Sequence, residues 1–361
     1  MIENEGMTEN MAELKCASFF AGVGGIDIGF EGFGSHKSNR YKVVYANEID
    51  SYPVRTYELN LPIKVDHRSI SDVRPEDVPK ADVYFMGFPC TDISIAGLQK
   101  GLFDENGNLT RSGLFFECVR LIHCNKPKIV FVENVKNLLS HNNGETFKAI
   151  KESLENEGYY LKYKVLNAME YGNVPQNRER IYIVAFKDKK LADVFEFPEP
   201  IPLTTKLSDI IDFHTKLDDK YYYTPGKYKG DIYDKLKEAM DDSNAVYQWR
   251  RKYVRKNMSG VVPTLTANQG EGGHNVCLVL TDNGIRKMTP KECFNAQGFP
   301  TDFKLPDDMA ESRLYKQAGN SVCVTVISRI AKKITEAVDT VAAEEGNGKR
   351  EAVYWMTLPR N

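Results

Sequence analysis

The stretch LKCASFFAGVGGIDIGF, residues 14–30, joins a short apolar run to Gly22, Gly24 and Gly25. An apolar strand ending in clustered glycines is a place where the chain turns sharply and lets a ligand approach its backbone. Any strand-to-helix junction can need such glycines, and the spacing departs from G-x-G-x-x-G, so a dinucleotide pyrophosphate is not the natural ligand. The surroundings give the turn its setting. YKVVYA (41–46), ADVYFMG (81–87) and KIVFVE (128–133) read as further buried strands, YLKYKVL (160–166) and RIYIVAF (180–186) continue the strand series, and a short strand precedes Asp66. Residues 51–59, 113–123 and 144–157 carry helical periodicity between them. This alternation predicts a doubly wound, Rossmann-like α/β fold on a mainly parallel sheet.

After Lys190 the texture changes to Pro198, Pro200 and Pro202, then to a Tyr- and Lys-rich stretch of weak periodicity, which predicts a second, smaller domain. GNSVCVTVISRIAKKITEAV (319–338) reads as a long amphipathic helix that returns to the first sheet. The expected organisation is residues 12–190 plus 310–345 as one domain, 191–285 as the second, 286–309 as a hinge and 346–361 as a tail.

Of 361 residues, 42% are hydrophobic and 27% charged, an ordinary globular composition. No apolar run approaches the roughly 20 residues that span a bilayer, and residues 1–13 are polar, so a cytoplasmic protein without a membrane segment is expected. Seven cysteines with no C-x-x-C pair and no His at ligand spacing argue against a metal site or a disulfide framework. Cys16, Cys118, Cys277 and Cys323 read as core. The net charge of −2 says little about partners, but YQWRRKYVRK (247–256) gathers five basic and three aromatic residues in one patch.

GFPCTDIS (87–94) follows the fourth predicted strand, so Cys90 falls at the carboxyl edge of the sheet, where open α/β folds bind ligands. Pro89 restricts its own backbone and that of Phe88, which fixes the direction of the thiol. An ordinary thiol, with a pKa of about 8.5, is mostly protonated at neutral pH and needs an activated electrophile. ENV (133–135) brings a carboxylate to the same edge, where partial desolvation would keep Glu133 protonated. QNRER (176–180) adds Arg178 and Arg180, donors that can orient that Glu or bind an exocyclic oxygen. Glu48, ending the second strand, suits ribose hydroxyls, and Asp66 could take an adenine amino group.

In their order, FAGVGG, GFPC, FVENV, QNRERIYIV and GNSV resemble the C5-cytosine-specific DNA methyltransferases, over residues 14–190 and 260–335. The resemblance implies S-adenosyl-L-methionine as cofactor and double-stranded DNA as substrate. It implies that Cys90 attacks C6 of a flipped-out cytosine, that Glu133 assists at N3 and that Arg178 contacts the base, with Arg180 and Gln176 in support. It places Phe20, Gly22, Gly24, Gly25, Ile26, Glu48, Ile49, Asp66, Pro89, Leu114, Asn320 and Val322 in the cofactor pocket. The residue after Pro-Cys is commonly Gln in the family and is Thr91 here, which puts a local contact in doubt rather than the chemistry.

The glycine-rich stretch 94–113, with Lys100 and Arg111, suits a loop that closes over DNA. Arg250, Arg251 and Arg255 offer donors for guanines and phosphates, and Gln269 in PTLTANQGEGGHN (263–275) an amide for a groove. The resemblance further implies a bacterial or phage restriction-modification setting, with a separate cognate endonuclease, and a nucleoid-associated enzyme; a monomer is expected. Three other readings stand beside it: a transfer-RNA cytosine-5 methyltransferase, a noncatalytic DNA-binding relative, and a nicotinamide-dependent oxidoreductase, which gives no role to GFPC and ENV.

Overall fold

The structure, a computed structural model, describes residues 13–38, 40–89, 102, 107, 109–228, 230–250, 252–269 and 276–357, the last twelve as backbone only. The first half runs β1 (Leu14–Phe19), α1 (Gly25–Glu31), β2 (Tyr41–Asn47), α2 (Ser51–Asn60), β3 (Val83–Met86), α3 (Phe115–Asn125), β4 (Ile129–Val135) and α4 (Glu145–Asn156). It continues through β5 (Tyr160–Asn167), α5 (Ala168–Tyr171), β6 (Gln176–Asn177), β7 (Glu179–Phe186) and α6 (Lys189–Val194). These strands form a six-stranded sheet in the order β2-β1-β3-β4-β7-β5, with β6 outside it.

β2, β1, β3 and β4 pair in parallel, whereas β7 runs antiparallel to both of its neighbours, so the sheet is mixed at one edge. β1 lies between β2 and β3, which makes the ends of β1 and β3 the place where the strand order reverses and a crevice opens. The strand expected before Asp66 is reduced to a single bridge between Asn47 and Asp66. Cys90 therefore follows the third strand in chain order, not the fourth.

Period-2 alternation sends side chains to two faces. Cys16, Val43, Phe85, Phe131 and Val184 meet Ile26 and Phe30 of α1 on one. Phe19, Tyr84, Met86, Val132 and Ile183 meet Phe115, Leu121, Ile150 and Leu154 of α3 and α4 on the other. Burial on both faces is what the continuous apolar runs predicted.

The remainder contains α7 (Ile232–Ala239), β8 (Tyr247–Trp249), β9 (Val254–Lys256), β10 (Val262–Pro263), β11 (Cys277–Thr281), β12 (Gly284–Lys287), α8 (Pro290–Asn295), α9 (Glu311–Asn320) and α10 (Val324–Thr357). An antiparallel sheet in the order β12-β11-β8-β9 holds α7 on a small core of Leu236, Tyr247, Leu278 and Ile285. β10 pairs in parallel with β6 in a separate two-stranded sheet, which ties this region to the segment entering β7.

The helix expected from Gly319 begins instead at Val324: α9 ends at Asn320, Ser321 is extended, and the Val324 amide bonds the Gln297 carbonyl. It then runs through residues read as a tail, as far as Thr357. α10 packs on α1 at Gly29, where a Cβ would lie 2.4 Å from Ile327 Cγ2.

Candidate active site

The turn after β1 is held in the left-handed region, at Phe20 (φ 55°), Gly22 (φ 56°) and Gly24 (φ 85°). Gly24 has no room for a side chain, since a Cβ would meet Leu61 Cδ1 at 2.4 Å. Gly22 differs, because among the described residues nothing lies within 4 Å of the position its Cβ would take, so the turn presents bare backbone there. Its N–H donates to Glu48 Oε2 at 3.0 Å, and Asp50 N–H donates to Oε1 at 2.8 Å. Each oxygen keeps acceptor capacity for a hydroxyl. Burial raises the Glu48 pKa, and the Asp50 and Gly22 amides oppose that rise. Ile49, the next residue, is 62% exposed, an apolar side chain in the open beside an acceptor.

Asp66 is engaged already. Tyr45 Oη donates to its Oδ2 at 2.7 Å, and Arg68 donates to both oxygens at 2.9 and 2.6 Å, holding the carboxyl below its usual range. Ile26 is buried, and Gly25 adjoins Val322, whose Cγ2 would be 2.8 Å from a Cβ there. Asn320 is exposed, while Leu114 is half-buried against the second face of the sheet.

Across the crevice, Phe88 is buried and Pro89 half-buried. Cys90, Thr91 and Lys100 lie outside the described residues, as does Arg251. Of the glycines assigned to a mobile stretch, Gly113 is buried with a Cβ position 2.0 Å from the Leu102 carbonyl oxygen, so it serves close packing. Arg111 is exposed at the end of that stretch.

Glu133 lies near the end of β4, 8% exposed, with Oε1 at 3.3 Å from Arg180 Nε. The alignment is too poor for a hydrogen bond, leaving Oε1 a buried acceptor without a donor among the described residues. Burial raises the Glu133 pKa, and the charges of Arg180 and then Arg178 oppose it. Asn134, a neighbour that sequence reasoning quoted without a role, donates from Nδ2 to the Phe88 carbonyl at 3.1 Å. ENV thereby holds the segment that leads into Cys90.

The two arginines of QNRER separate. Arg180 pairs with Glu133, because the β4–β7 register sets it opposite Val135. Arg178 is 2% exposed and donates to the carbonyls of Leu265, Gly319 and Ser321. Both terminal nitrogens are spent on backbone, and Nε is buried without a partner among the described residues, so the guanidinium is not placed as a base contact. Gln176 is buried and donates to the Ala296 carbonyl at 2.9 Å.

Gln269 is 1% exposed and donates to the Tyr315 carbonyl at 3.2 Å, so the expectation that it meets DNA fails. Arg250 starts the turn between β8 and β9, where its N–H bonds the Tyr253 carbonyl, and Arg255 is exposed on β9. Tyr253 and Met258, on the same hairpin and just beyond it, are 58% and 86% exposed.

Comparison with known proteins places this geometry. A family model described as C-5 cytosine-specific DNA methylase matches residues 14–336. The chain is 53% identical over 326 residues to the Type II methyltransferase M.Bsp6I of Bacillus sp. (strain RFL6), covering 90% of this chain and 99% of that one. It is 36% identical to the Type II methyltransferase M.SsoII of Shigella sonnei, over 90% and 81% of the two chains. Among solved structures, the Entamoeba histolytica methyltransferase EhMeth superposes with a TM-score of 0.70 at 18% identity, over 91% of this chain and 99% of that one, a likeness of fold.

Proposed function

We propose, for a chain that belongs to the C-5 cytosine-specific DNA methylase family and is a DNA (cytosine-5-)-methyltransferase, that Cys90, Glu133 and Arg180 carry the reaction. The observation behind this reading is the buried Glu133 carboxyl, facing Arg180 and tied through Asn134 to the segment entering Cys90.

The cofactor proposed is S-adenosyl-L-methionine, and the residues present suit it: bare backbone at Gly22, acceptors on Glu48 and an exposed Ile49 for a flat ring. When bound, it supplies a methyl group on a sulfonium. Gly22, Gly24, Gly25, Glu48, Ile49 and Val322 would hold it. Asp66, spent on Arg68 and Tyr45, is the weakest member of the predicted set.

The target carbon is hidden in stacked DNA, so the cytosine must leave the duplex, at a cost of about a few kcal/mol. The Cys90 thiolate adds to C6, and Glu133, which burial shifts toward its protonated form, gives its proton to N3. Electron density then rises at C5, which could take the methyl group as its bond to the sulfonium sulfur breaks and leaves a neutral thioether. Loss of the C5 proton to a water or other base would expel the thiolate, and return of the N3 proton to Glu133 would restore the ring and the acid. Arg180 orients Glu133 and offers a donor to the base oxygen, the part first assigned to Arg178.

Residues 191–285 are proposed as the target-recognition domain, with Arg250, Arg251 and Arg255 facing DNA and Arg111 and Lys100 flanking the closing segment. The setting proposed is restriction-modification, with a separate nuclease and a monomeric methyltransferase. The test incubates wild type and Cys90→Ser with tritiated S-adenosylmethionine and duplex DNA of many sequences, then maps positions by bisulfite sequencing. Label at one recurring cytosine context, absent in the variant, is expected. Undiminished label in Cys90→Ser would remove the nucleophile assignment.

A further inference from the structure

Arg178 has no carboxylate within ion-pair distance among the described residues, although it is buried. Its guanidinium donates instead to three carbonyls, from Nη1 to Leu265 at 2.9 Å and from Nη2 to Gly319 at 3.2 Å and Ser321 at 2.5 Å. Gly319 and Ser321 lie at the C-terminal end of α9, where carbonyls lack intrahelical donors and carry the helix's partial negative charge. A cation satisfies both needs. Leu265 belongs to a different segment, the strand exit after β10 that leads toward the second sheet.

The two segments also touch directly. A Cβ on Gly319 would lie 2.2 Å from the Thr266 carbonyl and 2.4 Å from the Ala267 nitrogen. On the other side of the same connector, a Cβ on Gly25 would meet Val322 Cγ2 at 2.8 Å and Ser321 Oγ at 3.0 Å. One guanidinium thus fastens the backbone beneath the glycine turn to the backbone entering the recognition region.

We propose that Arg178 is a positioning residue that couples the cofactor site to the DNA-reading region by locking residues 265–267 against residues 319–322. This rests on the proposed function. A ligand that orders the glycine turn fixes Ser321 and Val322, and through Arg178 fixes Leu265, so a second ligand meets a segment already ordered. Arg178→Lys keeps the charge and loses the planar fork that spans three acceptors. Gly319→Ala pushes the Thr266 peptide away while leaving Arg178 in place.

The test measures binding of S-adenosylhomocysteine by calorimetry, with and without a duplex carrying the mapped site. Wild type is expected to bind it about 5-fold or more tightly in the presence of DNA. Both variants are expected to bring that ratio to about one, whatever their affinity for either ligand alone. Amide hydrogen exchange on wild type needs no variant, and slower exchange across residues 264–269 on adding S-adenosylhomocysteine is expected. A wild-type ratio of one, an unchanged ratio in variants that fold, or unaltered exchange would overturn the proposal. Failure of the proposed function looks different: no S-adenosylhomocysteine bound and no label in DNA.

Discussion

At the residue scale, two buried carboxyls behave differently from surface acids, and each gives a pH-dependent expectation. Glu133 is pushed up by burial and pulled down by Arg180. Removing that neighbour in Arg180→Met should raise the Glu133 pKa further, since a positive charge favours the ionised form. The high-pH limb of the kcat profile should move upward while its plateau falls about 10²-fold or more. A limb that stays put or moves down would separate Glu133 from the proton step. Asp27, at 1% exposure under the glycine turn, has no well-aligned hydrogen bond among the described residues, and burial, opposed by the nearby Ser18 and Tyr57 hydroxyls, raises its pKa from 3.8 to about 6. Because the folded state holds this proton more tightly, the stabilisation is full below pH 3.8 and is lost as pH rises through about 6. Asp27→Asn lacks that loss, so relative to wild type it should gain up to about 3 kcal/mol between pH 4 and 7. Urea midpoints at the two pH values check this, and a constant offset would exclude it.

At the element scale, the junction between β12 and α8 depends on one ion pair. Arg286, fully buried, donates to both oxygens of Glu292 at 2.7 and 2.8 Å and to the Asp212 and Lys287 carbonyls. Glu292 also accepts from the Thr289 and Asp212 amides, closing the capping box of α8. Arg286→Met leaves a buried carboxylate unpaired and should cost about 3–5 kcal/mol in chemical denaturation. Adding Glu292→Leu should recover part of this, but not all, because the cap is lost with the acid. Full recovery would mean that the cap contributes nothing. The same scale explains why the connector 321–323 breaks the path from α9 to α10. The Gly319 and Ser321 carbonyls are held by Arg178, and Gly319 sits against the Thr266 peptide.

At the scale of the whole molecule, a net charge of −2 provides no general attraction for a polyanion, so DNA binding must come from local surface. Lys256, although in the basic stretch, is paired with Asp241 and Asp242, whereas Arg255 and Lys252 are exposed. Arg255→Ala should reduce the slope of log affinity against log salt by about one, and Lys256→Ala by less. Equal losses would place Lys256 on DNA as well. The sequence by itself determined the buried strands of the six-stranded sheet, because such a strand is a continuous apolar run, and it determined the family, because FAGVGG, GFPC and ENV follow one another at the ends of β1, β3 and β4. It did not determine which arginine faces Glu133, nor that Gln269 is interior. Those depend on the β4–β7 register, on Arg178 contacts 87, 141 and 143 residues away and on the Gln269 contact 46 residues away, and a local pattern holds no information about the partner that a side chain meets across such a distance.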